Sequence, residues 1–171
     1  MVNLTTKERF LLEGEKYQQL LAIDKYNDYA LQSQDNSLKE LFSNLVKVEE
    51  KHLKMFDGML QGEIPQINNE ALHPYYSNNP VNSNDYINVS NITLTSINDN
   101  NIYNDRDKIM CFDALTTEEL LHSTTSVSSL EFENTAFENT LKYIINEKLE
   151  SIKYLNDYMN KKGMYDNIIY F

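Results

Sequence analysis

Hydrophobic positions fall into four segments of the chain that have helical spacing. The second segment carries one stripe in which apolar and ligand-type residues recur every three or four positions: Leu38, Phe42, Leu45, Glu49, His52, Phe56 and Met59. The last segment carries a similar stripe: Phe137, Leu141, Ile145, Lys148, Ile152, Leu155 and Met159. Less regular stripes mark the first and third segments: Leu12, Gln19, Ile23, Tyr26 and Ala30, and then Cys111, Leu115, Glu118, His122, Thr125 and Ser129. The pattern predicts helices at about 5–33, 36–60, 105–131 and 135–162.

Local signals mark the ends of these helices. Thr5 followed by Glu8, and Thr135 followed by Glu138, both have the spacing of a capping box, in which a hydroxyl and a glutamate satisfy exposed backbone amides. Gly163 is placed to end the last helix as a C-terminal cap. We therefore expect helix starts at both threonines and a stop at this glycine.

The connections predict how the helices are arranged. A short turn at 34–36 makes the first two helices an antiparallel hairpin. Residues 61–104 are crowded with Asn and Ser, whose side chains compete for backbone hydrogen bonds, and hold all three prolines. Within them, alternation over 87–97 favours a short extended stretch. The order predicts an all-α, ferritin-like up-down four-helix bundle, two hairpins joined by a long crossover, as a single domain over 1–171.

An internal repeat links the second and fourth predicted helices. A shift of 99 residues aligns Leu38 with Phe137 and Phe42 with Leu141, and later apolar residues follow. Within this match the second helix carries a Glu-x-x-His step, and the fourth helix carries a lysine and a serine at the same two positions. The repeat therefore predicts that the two helices descend from one pattern and that one copy has lost its ligands.

Dinuclear carboxylate bundles bind metal through one Glu from each of two helices and a Glu-x-x-His pair from each of the other two. The corresponding positions in this chain are Gln19, Glu49, His52, Glu118, Lys148 and Ser151. Three of them are competent ligands, Glu49, His52 and Glu118, while the ammonium group of Lys148 would repel a cation. We expect a vestigial site without metal or cofactor, in which Lys148 pairs with Glu49 or Glu118. A slipped register through Glu147 and Glu150 fits Ile145 and Ile152 less well.

The composition of the chain argues against binding to nucleic acid or to membranes. The net charge of −11 and the pI near 4.6 disfavour nucleic acid and anionic membranes, which are bound by clusters of Lys and Arg. We expect no membrane insertion, because no apolar run reaches membrane length, and no signal peptide at the N-terminus. Cys111, the single cysteine, is expected to be a buried small residue, and His122 a solvated or hydrogen-bonded histidine.

Segments of both predicted hairpins match the pattern of a known family. In the first hairpin the segments are 20–30 and 38–52. In the second they are Cys111-Phe112-Asp113-Ala114-Leu115-Thr116-Thr117-Glu118, Leu130-Glu131-Phe132, Leu155-Asn156-Asp157-Tyr158-Met159 and Gly163-Met164-Tyr165. Through these segments the chain resembles the spore coat protein F family, relatives of the rubrerythrin and ferritin-like bundles. The resemblance implies a structural protein of the bacterial endospore coat, made in the mother-cell cytoplasm, with other spore coat proteins as partners. Gln19, Lys148 and Ser151 depart from the metal-binding pattern of ferritin-like relatives.

Three functions are compatible with these observations. The first is a non-enzymatic structural protein of the spore coat with a degenerate metal site. The second is an iron- or manganese-dependent oxidase or peroxidase that uses Glu49, His52 and Glu118. The third is a partner-binding module that presents the Asn-rich crossover. The sequence also permits a homodimer formed through helix faces, and contact surfaces in 61–104 and in the apolar C-terminus, 165–171.

Overall fold

The computed structural model describes residues 1–67 and 103–165, and within them the chain forms four helices and no strand. The helices are α1 (Thr6–Gln32), α2 (Asn36–Leu60), α3 (Asp105–Ser129) and α4 (Thr135–Lys161). The predicted all-α fold is confirmed, and so are the four predicted helices. The largest difference in a boundary lies at the end of α3, which was expected at 131 and lies at 129.

One of the two predicted N-terminal caps is confirmed and the other is wrong. Thr5 and Glu8 make the reciprocal hydrogen bonds of a capping box at the start of α1. In α4, Thr135 is the first helical residue, and the cap is the preceding Asn134, whose Oδ1 accepts from the Ala136 N–H at 3.0 Å. Asn is among the strongest N-cap residues, so it displaces the neighbouring threonine from this position.

Two glycines with positive φ end α2 and α4. Gly163 (φ 67°) follows α4 as predicted, and the Met164 N–H then reaches back to the Met159 carbonyl at 2.9 Å, as in a Schellman motif. Gly62 (φ 78°) ends α2 in the same way. Its Cα faces the N-terminal segment, where an added Cβ would lie 2.5 Å from the Val2 carbonyl oxygen. The Val2 N–H also donates to the Gly62 carbonyl at 2.8 Å, so this glycine ties the N-terminus to the end of α2.

Hydrogen bonds at the two ends of the bundle fix how the hairpins pack. Near the start of α3, Asp107 accepts from the backbone N–H groups of Gln34 and Asp35, in the turn between α1 and α2, at 3.2 and 3.3 Å. At the opposite end, the Glu133 N–H donates to Glu8 at 3.4 Å. Helices α1 and α3 are therefore antiparallel neighbours, and α2 ends at the far end of the bundle from the start of α3. The chain between 60 and 105 joins opposite ends, about 37 Å apart at 1.5 Å per residue, as the predicted crossover requires.

Two apolar clusters fill the interior, one towards each end. The cluster near the α1–α2 turn includes Leu38, Phe42, Leu45, Tyr26, Leu155 and Met159. The cluster at the other end includes Leu12, Phe56, Met59, Phe137, Leu141 and Ile144. All seven residues of the predicted α2 stripe are fully buried, whereas Ile145 and Ile152 of the α4 stripe are only half-buried. Between the clusters lies a layer of buried polar side chains, which is the candidate site.

Several predictions fall outside the described residues. These are the extended stretch at 87–97, most of the crossover, and the C-terminal residues after Tyr165. The assignment of the whole chain to a single domain stays a prediction. None of the four described helices has an apolar stretch long enough to cross a membrane.

Candidate functional site

All six predicted positions converge in the middle of the bundle. Their side chains are 0% exposed: Gln19, Glu49, His52, Glu118, Lys148 and Ser151. Each of the four helices contributes at least one of them. The alignment used in the sequence analysis therefore identifies one buried layer, between the two apolar clusters.

Lys148 is the centre of this layer. Its Nζ makes an ion pair with Glu49 of α2, lies 3.6 Å from Glu118 Oε2 of α3, and donates to Gln19 Oε1 of α1 at 3.3 Å. An ammonium group has three N–H donors and no acceptor. Here it donates to Gln19 and Glu49, while Glu118 Oε2, which accepts no hydrogen bond from the described residues, interacts with it through charge alone. The predicted ion pair is confirmed, and it involves both of the carboxylates that the sequence offered as alternatives.

Glu147 belongs to the same layer, contrary to the sequence analysis, which set it aside with Glu150. It is fully buried, and its Oε2 lies 2.9 Å from His52 Nε2. Its other oxygen accepts from Lys51 Nζ at 2.7 Å and from the Tyr143 hydroxyl at 2.9 Å. Glu147 is buried because these three partners satisfy it, while Glu150 is only half-buried. The spacing of Tyr143 and Glu147, one helical turn apart, was the available signal.

Two further polar contacts extend the layer along α1 and α3. The Tyr26 hydroxyl donates to Glu118 Oε1 at 2.6 Å. Glu15, one turn before Gln19, is buried and accepts from Thr125 and Ser128 of α3 at 2.8 Å each. The sequence analysis missed Glu15. The polar residue Thr125 in the predicted α3 stripe was the sign that a buried acceptor faces it.

The pKa values of the two carboxylates beside Lys148 are shifted in opposite directions by burial and by nearby charges. Burial raises the pKa of Glu118 to about 7, and the negative charge of Glu49 adds to this, against the opposing effect of Lys148. Burial also acts on Glu49, but there the positive charge of Lys148, helped by the His52 ring 3.8 Å away, prevails and lowers the pKa to about 2. The pKa of Glu147 is lowered as well, because its bonds to His52 and Lys51 outweigh the burial. Among Glu49, Glu118 and Glu147, Glu118 is therefore the carboxyl that most readily takes up a proton at neutral pH.

The layer does not fit the dinuclear metal that the ferritin-like resemblance implies. The Lys148 ammonium group already makes the contacts that a cation would make with Glu49 and Glu118. His52 Nε2 is engaged by Glu147. Within residues 1–67 and 103–165, no three or more His, Cys, Asp and Glu side chains are grouped so that they could hold a metal ion. The donor set is that of an internal ion-pair network, with a positive side chain at its centre.

The remaining candidates behave as structural residues. Cys111 is fully buried as predicted, and burial together with the nearby Asp107 raises the pKa of its thiol to about 12. A thiol with so high a pKa is a poor nucleophile at neutral pH. His122 is half-buried.

Residues 106–168 match the family model of the Coat F domain. This part of the chain is similar to the Coat F domain. The match confirms the resemblance to the spore coat protein F family and indicates a spore coat protein. The Coat F domain supplies Glu118, Lys148 and Ser151 to the buried layer, and the hairpin before it supplies the other three positions. No curated protein and no solved structure matches the chain.

Replacing Lys148 with methionine should unfold the bundle more easily. The substitution keeps most of the side-chain volume and leaves Glu49 and Glu118 without their cation, so we expect a loss of about 3–5 kcal/mol in the free energy of unfolding. Urea titration followed by circular dichroism at pH 7 measures it.

The matched control is Lys142→Met, on the solvent side of the same helix, where Lys142 pairs with Glu138. Exposed pairs of this kind contribute about 0.5 kcal/mol or less. Adding Glu49→Gln and Glu118→Gln to Lys148→Met should recover most of the lost stability. An equal, small effect of Lys148→Met and Lys142→Met would show that the central ion pair does not stabilise the fold.

The raised pKa of Glu118 predicts a pH dependence of stability. Because the folded state binds this proton more tightly than the unfolded chain does, the contribution is complete below about pH 4.5 and is lost as the pH rises through about 7. Glu118→Gln removes the titration, so from pH 5 to pH 8 the variant should gain roughly 2–3 kcal/mol relative to the wild type. Urea titrations at intervals of one pH unit measure the difference, with the exposed neighbour in Glu119→Gln as control. A difference that stays constant with pH would contradict the assignment.

Proposed function

We propose that the protein is a non-enzymatic structural component of the bacterial spore coat, built as a ferritin-like bundle with a degenerate metal site. The observation that carries the proposal is the position of Lys148. A lysine side chain, buried at 0% exposure, supplies the positive charge among carboxylates that would otherwise require a bound cation. The Coat F domain over 106–168 supports the location in the coat.

The topology supports the ferritin-like description. The two hairpins pack with α1 antiparallel to α3 and with α2 antiparallel to α4, as the contacts of Asp107 with the α1–α2 turn and of Glu147 with His52 require. Ferritin-like bundles have this arrangement of two hairpins and one long crossover. The buried layer lies where such bundles place their metal ligands, halfway along the helices.

The electrostatics supports a structural role over an oxidase or peroxidase. Redox chemistry at this position would need a bound metal and a path for substrate to reach it. The central groups of the layer are fully buried, and Gln19 and Glu118 are committed to Lys148 and Tyr26. Two shallow surface clefts, one beside Lys54 and one beside Met1, are lined by other residues.

Metal loading separates the structural proposal from the enzyme alternative. After aerobic incubation with iron or manganese and desalting, the wild type should hold well under one equivalent of metal by elemental analysis. The double variant Lys148→Glu, Ser151→His restores a second Glu-x-x-His step and should take up iron, because five of the six positions then carry ligands.

Lys148→Met is the control, since it removes the ammonium group and adds no ligand. It should bind much less metal than the double variant. Stoichiometric iron in the wild type, lost on Glu49→Gln or His52→Ala, would favour the oxidase or peroxidase and overturn the structural proposal.

The location in the coat has a separate test. A fluorescent fusion of the full chain, produced in the mother cell of a sporulating bacterium, should collect as a shell around the forespore. In purified spores it should be recovered with the other coat proteins on extraction with alkaline detergent. The fluorescent protein alone, the control, should stay in the mother-cell cytoplasm, and a fusion that does the same would contradict the assignment to the coat.

A further inference from the structure

The outward faces of the four helices differ in polarity. Exposed large apolar residues of α1 are Phe10, Tyr17, Leu20, Leu21 and Leu31, and those on or directly after α3 are Ile109, Phe112, Leu120, Val127 and Leu130. Among the described helices, α2 exposes no such residue and α4 exposes one, Leu149. Several of the side chains on α1 and α3 are almost entirely in solvent, for example Phe10 at 78%, Leu31 at 82% and Leu130 at 84% exposed.

These residues form one continuous surface, which we call the α1–α3 face. Thr124 donates to Gln18 at 2.9 Å, and Lys25 donates to Thr117 at 2.9 Å. Because α1 and α3 are antiparallel, residues that lie level with each other on the two helices have residue numbers that add up to about 142. Leu21 then lies level with Leu120. By the same pairing, Phe10 lies near Leu130 at one end, and Leu31 lies near Ile109 at the other.

The α1–α3 face has the size of a protein interface. A helix of 27 residues is about 40 Å long, and two helices side by side are about 20 Å wide. The face therefore offers roughly 800 Å², which is the area that each partner contributes to a standard interface. A soluble monomer rarely leaves more than a few hundred Å² of contiguous apolar surface in water.

The chain approaches the opposite side of the bundle. Pro65 and Gln66, at the start of the crossover, lie beside Lys47, Lys51 and Lys54 of α2. Leu41 and Val48 on α2, and Tyr143 and Tyr154 on α4, are buried. The described start of the crossover thus lies against α2. On the α1–α3 face, Phe112 is partly covered by Tyr165, whose ring centroid lies 5.6 Å away, while Leu21 and Leu120 are 70% and 57% exposed.

Charge along α1 points to a second copy of this chain as that molecule. The exposed basic residues Lys7 and Arg9 stand near the N-terminus of α1, where Lys7 also pairs with Glu131 and Arg9 also donates to the Leu60 carbonyl at 3.3 Å. The exposed acidic residues Asp24 and Asp28 stand in the second half of α1. A two-fold axis perpendicular to the helix, near residues 17–21, brings the basic end of one α1 against the acidic end of the other. Complementary charges of this kind set the orientation of an interface.

We propose that the α1–α3 face is the interface of a symmetric homodimer, in which the α1 helices of the two copies cross in antiparallel orientation. The apolar residues near the axis, Tyr17, Leu20, Leu21 and Leu120, form its centre. Arg9 of each copy faces Asp28 of the other at the rim. The inference depends on the outer faces alone and stands independently of the location in the spore coat.

Sedimentation equilibrium should give twice the chain mass of 20.0 kDa. The protein concentration is varied between about 1 and 100 μM, a range that brackets the dissociation constants of typical dimers. The double variant Leu21→Glu, Leu120→Glu places charges at the centre of the interface and should raise the dissociation constant by roughly 30-fold or more. Leu149→Glu is the matched control, because it makes the same change on the exposed surface of α4 and should leave the dimer intact. Circular dichroism confirms that each variant is folded.

A charge exchange tests the orientation. Arg9→Glu should weaken the dimer, and Arg9→Glu with Asp28→Arg should restore it, because the two positions meet only when the α1 helices are antiparallel. A dimer that persists in the Leu21→Glu, Leu120→Glu variant, or a charge exchange that gives no recovery, would overturn the proposal. So would a monomer at all concentrations. In that case, hydroxyl-radical labelling of Leu21 and Leu120 shows whether the face is bare or is covered by the chain's own residues.

Discussion

The buried ammonium group of Lys148 is the interaction on which the rest of the structure depends. It is contributed by α4 and contacts an oxygen on each of α1, α2 and α3, at Gln19, Glu49 and Glu118. Two packed hairpins could slide or rotate on apolar contacts alone, because such contacts are not directional. A buried charge that meets polar groups on three other helices fixes the register of all four, since any slip would leave it without its partners.

The same interaction explains why the interior tolerates so many carboxylates. Glu15, Glu49, Glu118 and Glu147 are all buried, and each accepts at least one hydrogen bond. Glu49 and Glu147 face positive side chains or a histidine and have lowered pKa values, so they remain charged. Glu15 and Glu118 have raised pKa values and rely on hydroxyl donors from Thr125, Ser128 and Tyr26. The layer thus limits its negative charge in two ways, by an internal cation and by carboxyls that readily accept a proton.

Much of this site could be predicted from the sequence, because α2 and α4 each bury one face. Their periodicity gave the helices, and the repeat between them gave the six central positions and the ion pair of Lys148. Periodicity shows which way a residue points but not which polar group it meets. Glu147 lies beside the predicted stripe, and the partners that bury it, Lys51 and Tyr143, come from two helices. For the same reason the cap of α4 was assigned one residue late, where two adjacent residues both suit an N-terminus.

The hydrophobic pattern is weakest in α1 and α3, the two helices that expose large apolar residues on their outer faces. α1 turns polar residues inward, among them Glu15 and Gln19, and carries apolar residues such as Phe10 and Leu21 outward. α3 does the same with Glu118 inside and Leu120 outside. In a helix that packs on one side only, this distribution would look inverted, and it weakens the amphipathic signal on which sequence reasoning depends. It is the distribution expected of helices whose inner faces hold an ion-pair network and whose outer faces meet another molecule. The homodimer proposed above would thus account for the irregular stripes of α1 and α3, because each of these helices would then have two packing surfaces.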